Sequence, residues 1–242
     1  MQRVGCFTTA RVTRGRIERL ERHARRLARD ADRLGLPLPD RAAIEAAAIA
    51  RARAELGQGD GIVRIEWSAS PPDPHALRVT TRPLGFDGSI WRAISAAVPH
   101  PGPEARHGAK AIGVVAWEAA RAEAHAAGVE EALLFDDAGR LVEGSRTNLI
   151  VVPHAGDPWT PAPALGAVEG LGLACVQEAV PELRASEAID RDALRSAREL
   201  VAVNAVRGAV AVVALDGEPI GDGRMGPLAR RLRGLIVRDP ST

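Results

Sequence analysis

The 242 residues suffice for one large domain or two modest ones around a real hydrophobic core. Apolar residues make up 46% and charged residues 26%, a globular balance, and a formal net charge of +1 removes any electrostatic case for nucleic acid or an anionic membrane as partner. No apolar run reaches the roughly 18 residues of a bilayer span, and the start of the chain has no apolar region of the signal-peptide kind, so a cytoplasmic protein is expected.

Gly5-Cys6-Phe7-Thr8-Thr9-Ala10-Arg11-Val12 is rich in β-formers and reads as a strand. Alternation puts Phe7, Thr9 and Arg11 on one face and Cys6, Thr8 and Ala10 on the other. Beyond Thr13-Arg14-Gly15, Ile17, Leu20, Ala24, Leu27, Ala31 and Leu34 recur at spacings of three and four. That period predicts a helix over residues 17–34, stopped by Gly35-Leu36-Pro37. Its arginines read as a solvated face with i, i+4 partners such as Glu18 and Glu21. Residues 40–56 form a second, alanine-rich helix. Residues 61–67, 76–82 and 90–98 read as strands, with loops at Pro71-Pro72-Asp73-Pro74 and 83–88. These elements make a small α+β unit over residues 1–98. Val98-Pro99-His100-Pro101-Gly102-Pro103 is then the passage to a second domain over 104–242. Arg64, Arg82, His100 and His107 could meet an acidic substrate, although a structural or solvated role is the first reading of each. Cys6 and Cys175 are not metal-spaced and read as free thiols, and no metal site is expected.

Arg106-His107-Gly108-Ala109-Lys110 ends on the only lysine in the chain. A helix-like run over 111–127 follows, then a strand over 131–136 and a turn at Asp137-Ala138-Gly139. Leu141-Val142-Glu143-Gly144-Ser145-Arg146-Thr147-Asn148 leads into a further strand over 149–152. Taken alone, the segment from 131 to 144 is an ordinary hairpin with a glycine turn. A lone lysine, a buried-looking glutamate and a small polar loop are also what an enzyme needs to hold pyridoxal 5′-phosphate (PLP). Farther on, residues 165–172 open a helix that runs to about residue 183. A glycine-rich helix start offers free N–H groups and a favourable dipole to an anion. Strands over 199–204 and 209–215, a turn at Asp216-Gly217 and a helix over 225–237 close the chain. No internal repeat or low-complexity segment is visible.

The stretch from Lys110 to Asn148 resembles the fold-type IV PLP enzymes: branched-chain and D-amino-acid aminotransferases and 4-amino-4-deoxychorismate lyase. The resemblance implies two α+β domains of the D-amino-acid aminotransferase kind, with the cofactor in the cleft between them, in a homodimer acting on a small molecule. It places Lys110 on the Schiff-base lysine and Glu143 on the partner of the pyridine nitrogen. His23-Ala24-Arg25-Arg26-Leu27 matches the family's HxxRL, whose arginine reaches the cofactor phosphate, a role that suits a guanidinium fork. The strand from Gly5 to Val12 is similar to that of the lyases. It implies that Phe7, Thr9 and Arg11 face the substrate and that Thr9 takes part in proton transfer. Gly166, Gly170 and Leu171 fit the phosphate-binding helix start, and the amides of Leu171 and Gly172 would hold phosphate together with Asn148, Asn204 or Ala205. The sequence departs from the family in three places. The strand and loop that usually precede the equivalent of Gly5 are absent, which implies a shortened first domain or a misassigned start. Ala111-Ile112-Gly113-Val114-Val115 stands where asparagine and tyrosine or arginine are usual. Gly172 and Leu173 replace threonine and arginine. The implied activity is that of 4-amino-4-deoxychorismate lyase, forming 4-aminobenzoate and pyruvate in folate biosynthesis. The alternatives are a class IV aminotransferase for branched-chain or D-amino acids, with Arg11 as carboxylate trap, and a non-catalytic family member that serves as a binding protein.

Overall fold

The first strand, β1 (Val4–Thr13), alternates as expected: Cys6, Thr8, Ala10 and Val12 are buried, while Phe7, Thr9 and Arg11 are half-buried. In this computed structural model residues 4–70, 73–85, 88–104 and 108–237 are described, so Arg106 and His107 lie outside the described residues. Arg14 and Gly15 both take positive φ, 49° and 73°, and turn β1 tightly into β2 (Arg16–Ile17), Val12 pairing with Ile17. That hairpin delays the predicted helix, and α1 (Leu20–Arg33) begins only after Arg19 has made a left-handed turn. In α2 (Arg41–Leu56) the Asp40 side chain caps the start by accepting from Ala42 N at 2.9 Å, and Ile44, Ala48 and Ala52 line the buried face. Strands β3 (Gly61–Ser70) and β4 (Asp73–Pro83) complete an antiparallel sheet of order β2-β1-β3-β4. Leu27, Ala31, Ile44 and Ala48 of the helices pack on Cys6, Val12, Val63 and Ile65 of the sheet.

The second sheet is larger. Its strands are β5 (Ile90–Ser95), β6 (Glu131–Phe135), β7 (Leu141–Gly144), β8 (Asn148–Pro153), β9 (Trp159–Pro161), β10 (Arg184–Ser186), β11 (Ala197–Asn204), β12 (Gly208–Leu215) and β13 (Glu218–Pro219). They run in the order β10-β9-β8-β11-β12-β5-β6-β7, with β13 on β12. Helix α3 (Val115–Ala126) covers Ala132 and Leu134 with Trp117 and Ala120. Helices α4 (Leu171–Ala179) and α6 (Pro227–Ile236) cover Ile150, Val201 and Val203, and α5 (Arg191–Arg195) brings Leu194 to the core around Trp91, Leu133 and Leu149.

The chain forms two compact units: among the described residues, 4–85 with 108–113, and 88–104 with 114–237. Two expectations change here. The strand read as residues 90–98 of the first unit is shorter and lies between β12 and β6, parallel to both, because its partners come from far along the chain. Lys110, assigned to the second domain, belongs to the first unit. Strand β2 pairs only with the end of β1, which leaves the edge at Gly5–Phe7 open. There Phe7 N donates to Lys110 O at 2.9 Å and Ile112 N to Gly5 O at 2.8 Å. The run from 111 is therefore extended, Gly113 turns with φ of 69°, and α3 starts at Val115.

Candidate active site

In the first unit, β1 carries a different set of groups on each face. On the half-buried face, the Phe7 ring holds the Arg64 guanidinium 3.6 Å and the Lys110 Nζ 4.9 Å from its centroid. Thr9 lies directly opposite Arg64 across the β1–β3 ladder, so the two share that face. Arg64 Nε also donates to Glu66 Oε1 at 2.7 Å. Arg11 Nε donates to Thr13 Oγ1 at 3.3 Å, and Arg82, opposite Ile62, is exposed. Lys110 is held through its backbone. Its N–H donates to Asp30 Oδ2 at 3.1 Å, and Asp30 is fully buried while its other oxygen pairs with Arg29 at 3.0 Å.

The opposite face of β1 meets α1. Arg26 is only 6% exposed. Its Nη2 donates to Thr8 Oγ1 at 2.7 Å and Phe7 O at 3.2 Å, while its buried Nε–H has no partner among the described residues. Thr8 Oγ1 lies 2.6 Å from His23 Nδ1. Burial first, then the charges of Arg26 and Arg19, push His23 down to about 3, so its ring is neutral. Burial and the nearby Asp30 push the Cys6 thiol up to about 12, which marks it as a packing residue.

In the second unit, Glu143 of β7 is 2% exposed and accepts from three directions. Trp117 Nε1 donates at 3.1 Å, Val168 N at 3.0 Å, and His100 Nε2 stands 3.3 Å away. His100 Nδ1 accepts from Gly102 N at 3.1 Å, so the ring proton is assigned to Nε2, which donates to the carboxylate. For His100 the sequence offers a structural role first and an acidic substrate second. The structural role holds: it is a buried partner of Glu143, edge-on to Trp117 with ring centroids 5.0 Å apart. Below this carboxylate a second buried acid, Glu131, ties the loop: Ser145 Oγ donates to it at 2.6 Å and Thr147 Oγ1 at 2.7 Å. Burial pushes Glu131 up, and these two bonds act against that shift.

Asn148 and Asn204, read as phosphate ligands, have their side chains engaged on backbone. Asn148 Nδ2 donates to Val168 O at 2.8 Å, which holds the segment leading to α4. Asn204 Oδ1 accepts from Val206 N and Arg207 N at 2.9 and 2.8 Å, closing the turn that contains Ala205. Helix α4 begins at Leu171 with no side-chain cap, so its first N–H groups, those of Leu171 and Gly172 included, keep no intrahelical acceptor. The glycine at 172 also has a packing reason. A Cβ there would come within 2.8 to 3.0 Å of the Asn204 backbone, which leaves no room for the threonine of the family pattern. Thr8, His23, Asp30 and Glu131 were not singled out as site residues. Only the HxxRL match, which contains His23, carried any signal for them.

The chain matches the Amino-transferase class IV family over residues 5–215. A curated relative from Aquifex aeolicus (strain VF5), "Probable branched-chain-amino-acid aminotransferase", is 30% identical over 119 residues, or 47% of this chain; the match spans 38% of the relative's own length. A T.th. branched-chain amino acid aminotransferase complexed with N-(5′-phosphopyridoxyl)-L-glutamate is 25% identical, with a TM-score of 0.83 over 98% of this chain and 87% of that one. A Legionella pneumophila protein assigned as a 4-amino-4-deoxychorismate lyase shares the fold at 19% identity, with a TM-score of 0.82 over 94% of this chain and 88% of that one. By fold and by a match over most of its length, the chain belongs to the class IV aminotransferases, a family that uses pyridoxal 5′-phosphate.

Proposed function

We propose that this protein is a PLP-dependent 4-amino-4-deoxychorismate lyase, releasing 4-aminobenzoate and pyruvate and working as a cytoplasmic homodimer. The observation that carries the reading is the half-buried face of β1. There one phenylalanine ring is flanked by the only lysine and by Arg64, with the Thr9 hydroxyl on the same face. The residues present fit the cofactor. Arg26 is a buried guanidinium whose Nε–H, without a partner among the described residues, suits a phosphate oxygen, and Glu143 is a buried, three-way oriented carboxylate suited to a pyridine nitrogen. The uncapped amides of Leu171 and Gly172 would add donors for the phosphate, with Asn148 and Asn204 holding the backbone around them. PLP supplies, when bound, an aldehyde that bonds an amine and a ring that accepts an electron pair from the adjacent carbon.

The protein's own groups do the rest. Lys110 Nζ provides the amine for the cofactor and takes the proton from the substrate carbon that bears the amino group. As the carbon–oxygen bond to the enolpyruvyl group breaks, Thr9 Oγ1 relays the proton held on Lys110 Nζ to that group's methylene carbon, which leaves the hydroxyl and the amine neutral, and pyruvate departs. Arg64, whose guanidinium lies over the Phe7 ring that Lys110 also approaches, is the carboxylate partner in this reading. A class IV aminotransferase is the second reading, favoured by the Aquifex relative. The test is pyruvate release from aminodeoxychorismate against amino-acid-driven bleaching of the visible band. The lyase reading expects pyruvate, an unbleached band with branched-chain or D-amino acids, and loss of both colour and turnover in Lys110→Ala. Bleaching without pyruvate would make the protein an aminotransferase.

A further inference from the structure

The buried face of α1 holds a hydrogen-bond chain whose direction can be deduced. Arginine only donates, so Thr8 Oγ1 must accept from Arg26 Nη2 at 2.7 Å. The threonine proton then points to His23 Nδ1 at 2.6 Å, which makes Nδ1 the acceptor and puts the ring proton on Nε2. His23 and Arg26 lie three residues apart on one face of α1, and both are buried together with Thr8 of β1. The chain thus runs from α1 to β1 and back to α1 within one unit. A side chain as long as arginine loses considerable rotamer freedom when it is placed, and a group that holds it in advance removes that loss from binding. The geometry also leaves a purpose open at the far end. Arg26 keeps a buried Nε–H with no partner among the described residues, while Asp30, four residues on, has its oxygens on Arg29 and the Lys110 N–H.

We propose that His23 and Thr8 are positioning residues that lock the Arg26 guanidinium in place for the phosphate monoester of the cofactor. This rests on the reading of Arg26 as a phosphate ligand, and the test separates the two. The full-length protein is titrated with PLP and with pyridoxal, which has the same aldehyde and ring but no phosphate. Pyridoxal therefore reports Lys110 and the fold, and the ratio of the two affinities reports the phosphate grip. Arg26→Gln should collapse the ratio. Thr8→Val and His23→Leu should each lower it about tenfold or more, with pyridoxal binding unchanged. The double variant should be no worse than the singles, because both act through one chain. His23→Asn, whose Oδ1 can stand where Nδ1 stood, should recover most of the ratio. A second readout needs no aldehyde: inorganic phosphate should raise the melting temperature of the apoprotein, and should fail to do so in Thr8→Val and His23→Leu. If Thr8→Val does not take up pyridoxal, Thr8→Ala replaces it with the same expectation. Unchanged ratios in the Thr8 and His23 variants beside a collapsed ratio in Arg26→Gln would overturn the positioning role and leave the ligand reading intact. An unchanged ratio in Arg26→Gln would overturn both.

Discussion

A histidine buried against two arginines has a thermodynamic signature. Burial, Arg26 and Arg19 lower His23 from its ordinary 6.5 to about 3, so the unfolded chain takes a proton that the folded chain refuses. The sign follows directly. The stability that His23 contributes is complete above pH 6.5 and is lost as pH falls from there towards 3, a loss on the order of 4 kcal/mol. His23→Asn removes the titration and should flatten the fall in denaturation midpoint over that window; an equally steep fall would show that His23 is not held neutral. The groups that were legible in the sequence are the ones that stand out alone or in a motif: Lys110 as the single lysine, Arg26 in HxxRL and Glu143 after a glycine turn. Thr8 and His23 were not legible as a pair, because they meet across 15 positions and hydroxyls and imidazoles leave no periodicity. The structural role of His100 was expected, but its partner was not, since Glu143 lies 43 positions away.

The elements were mostly legible, and their ends were not. The helix over 111–127 looked continuous because Ala111, Ile112, Val114 and Val115 are apolar at almost any period. The open edge of β1 decides otherwise and draws Lys110 and its neighbours out as an extended segment. Asp30 completes the arrangement from α1 by accepting the Lys110 N–H at 3.1 Å. Removing that acceptor takes the partner from a part-buried N–H, which costs about 1 kcal/mol, the lower end of the range for a buried one. Asp30→Ala should therefore lose roughly that much stability and speed amide exchange at Lys110. It should also slow covalent uptake of pyridoxal, because the lysine backbone is no longer pinned. Native exchange at Lys110 in the variant would mean that the pairing with Phe7 alone holds the segment.

At the scale of the molecule, mixed α/β character and two lobes could be read from periodicity and loop composition, whereas the path of the chain between the lobes could not. It leaves the first unit before β5, returns for residues 108–113 and leaves again at Val114. Neither crossing has a local signal: β5 is claimed by β12, more than a hundred positions later, and the return by one strand edge. Arg26 and Lys110 belong to the first unit, Glu143 and the start of α4 to the second. A ligand that binds only the folded chain stabilises it by mass action, about 2.7 kcal/mol at a hundredfold excess over Kd. For a chain of this length that corresponds to roughly 5–10 °C in melting temperature. PLP should give the wild type a rise of that size. Lys110→Ala and Arg26→Gln should each retain part of it, since one loses the covalent bond and the other the phosphate grip. Pyridoxal should give Arg26→Gln nearly the rise it gives the wild type, because neither complex has a phosphate to hold. A wild-type melting temperature indifferent to PLP would refute the cofactor assignment for all these residues at once.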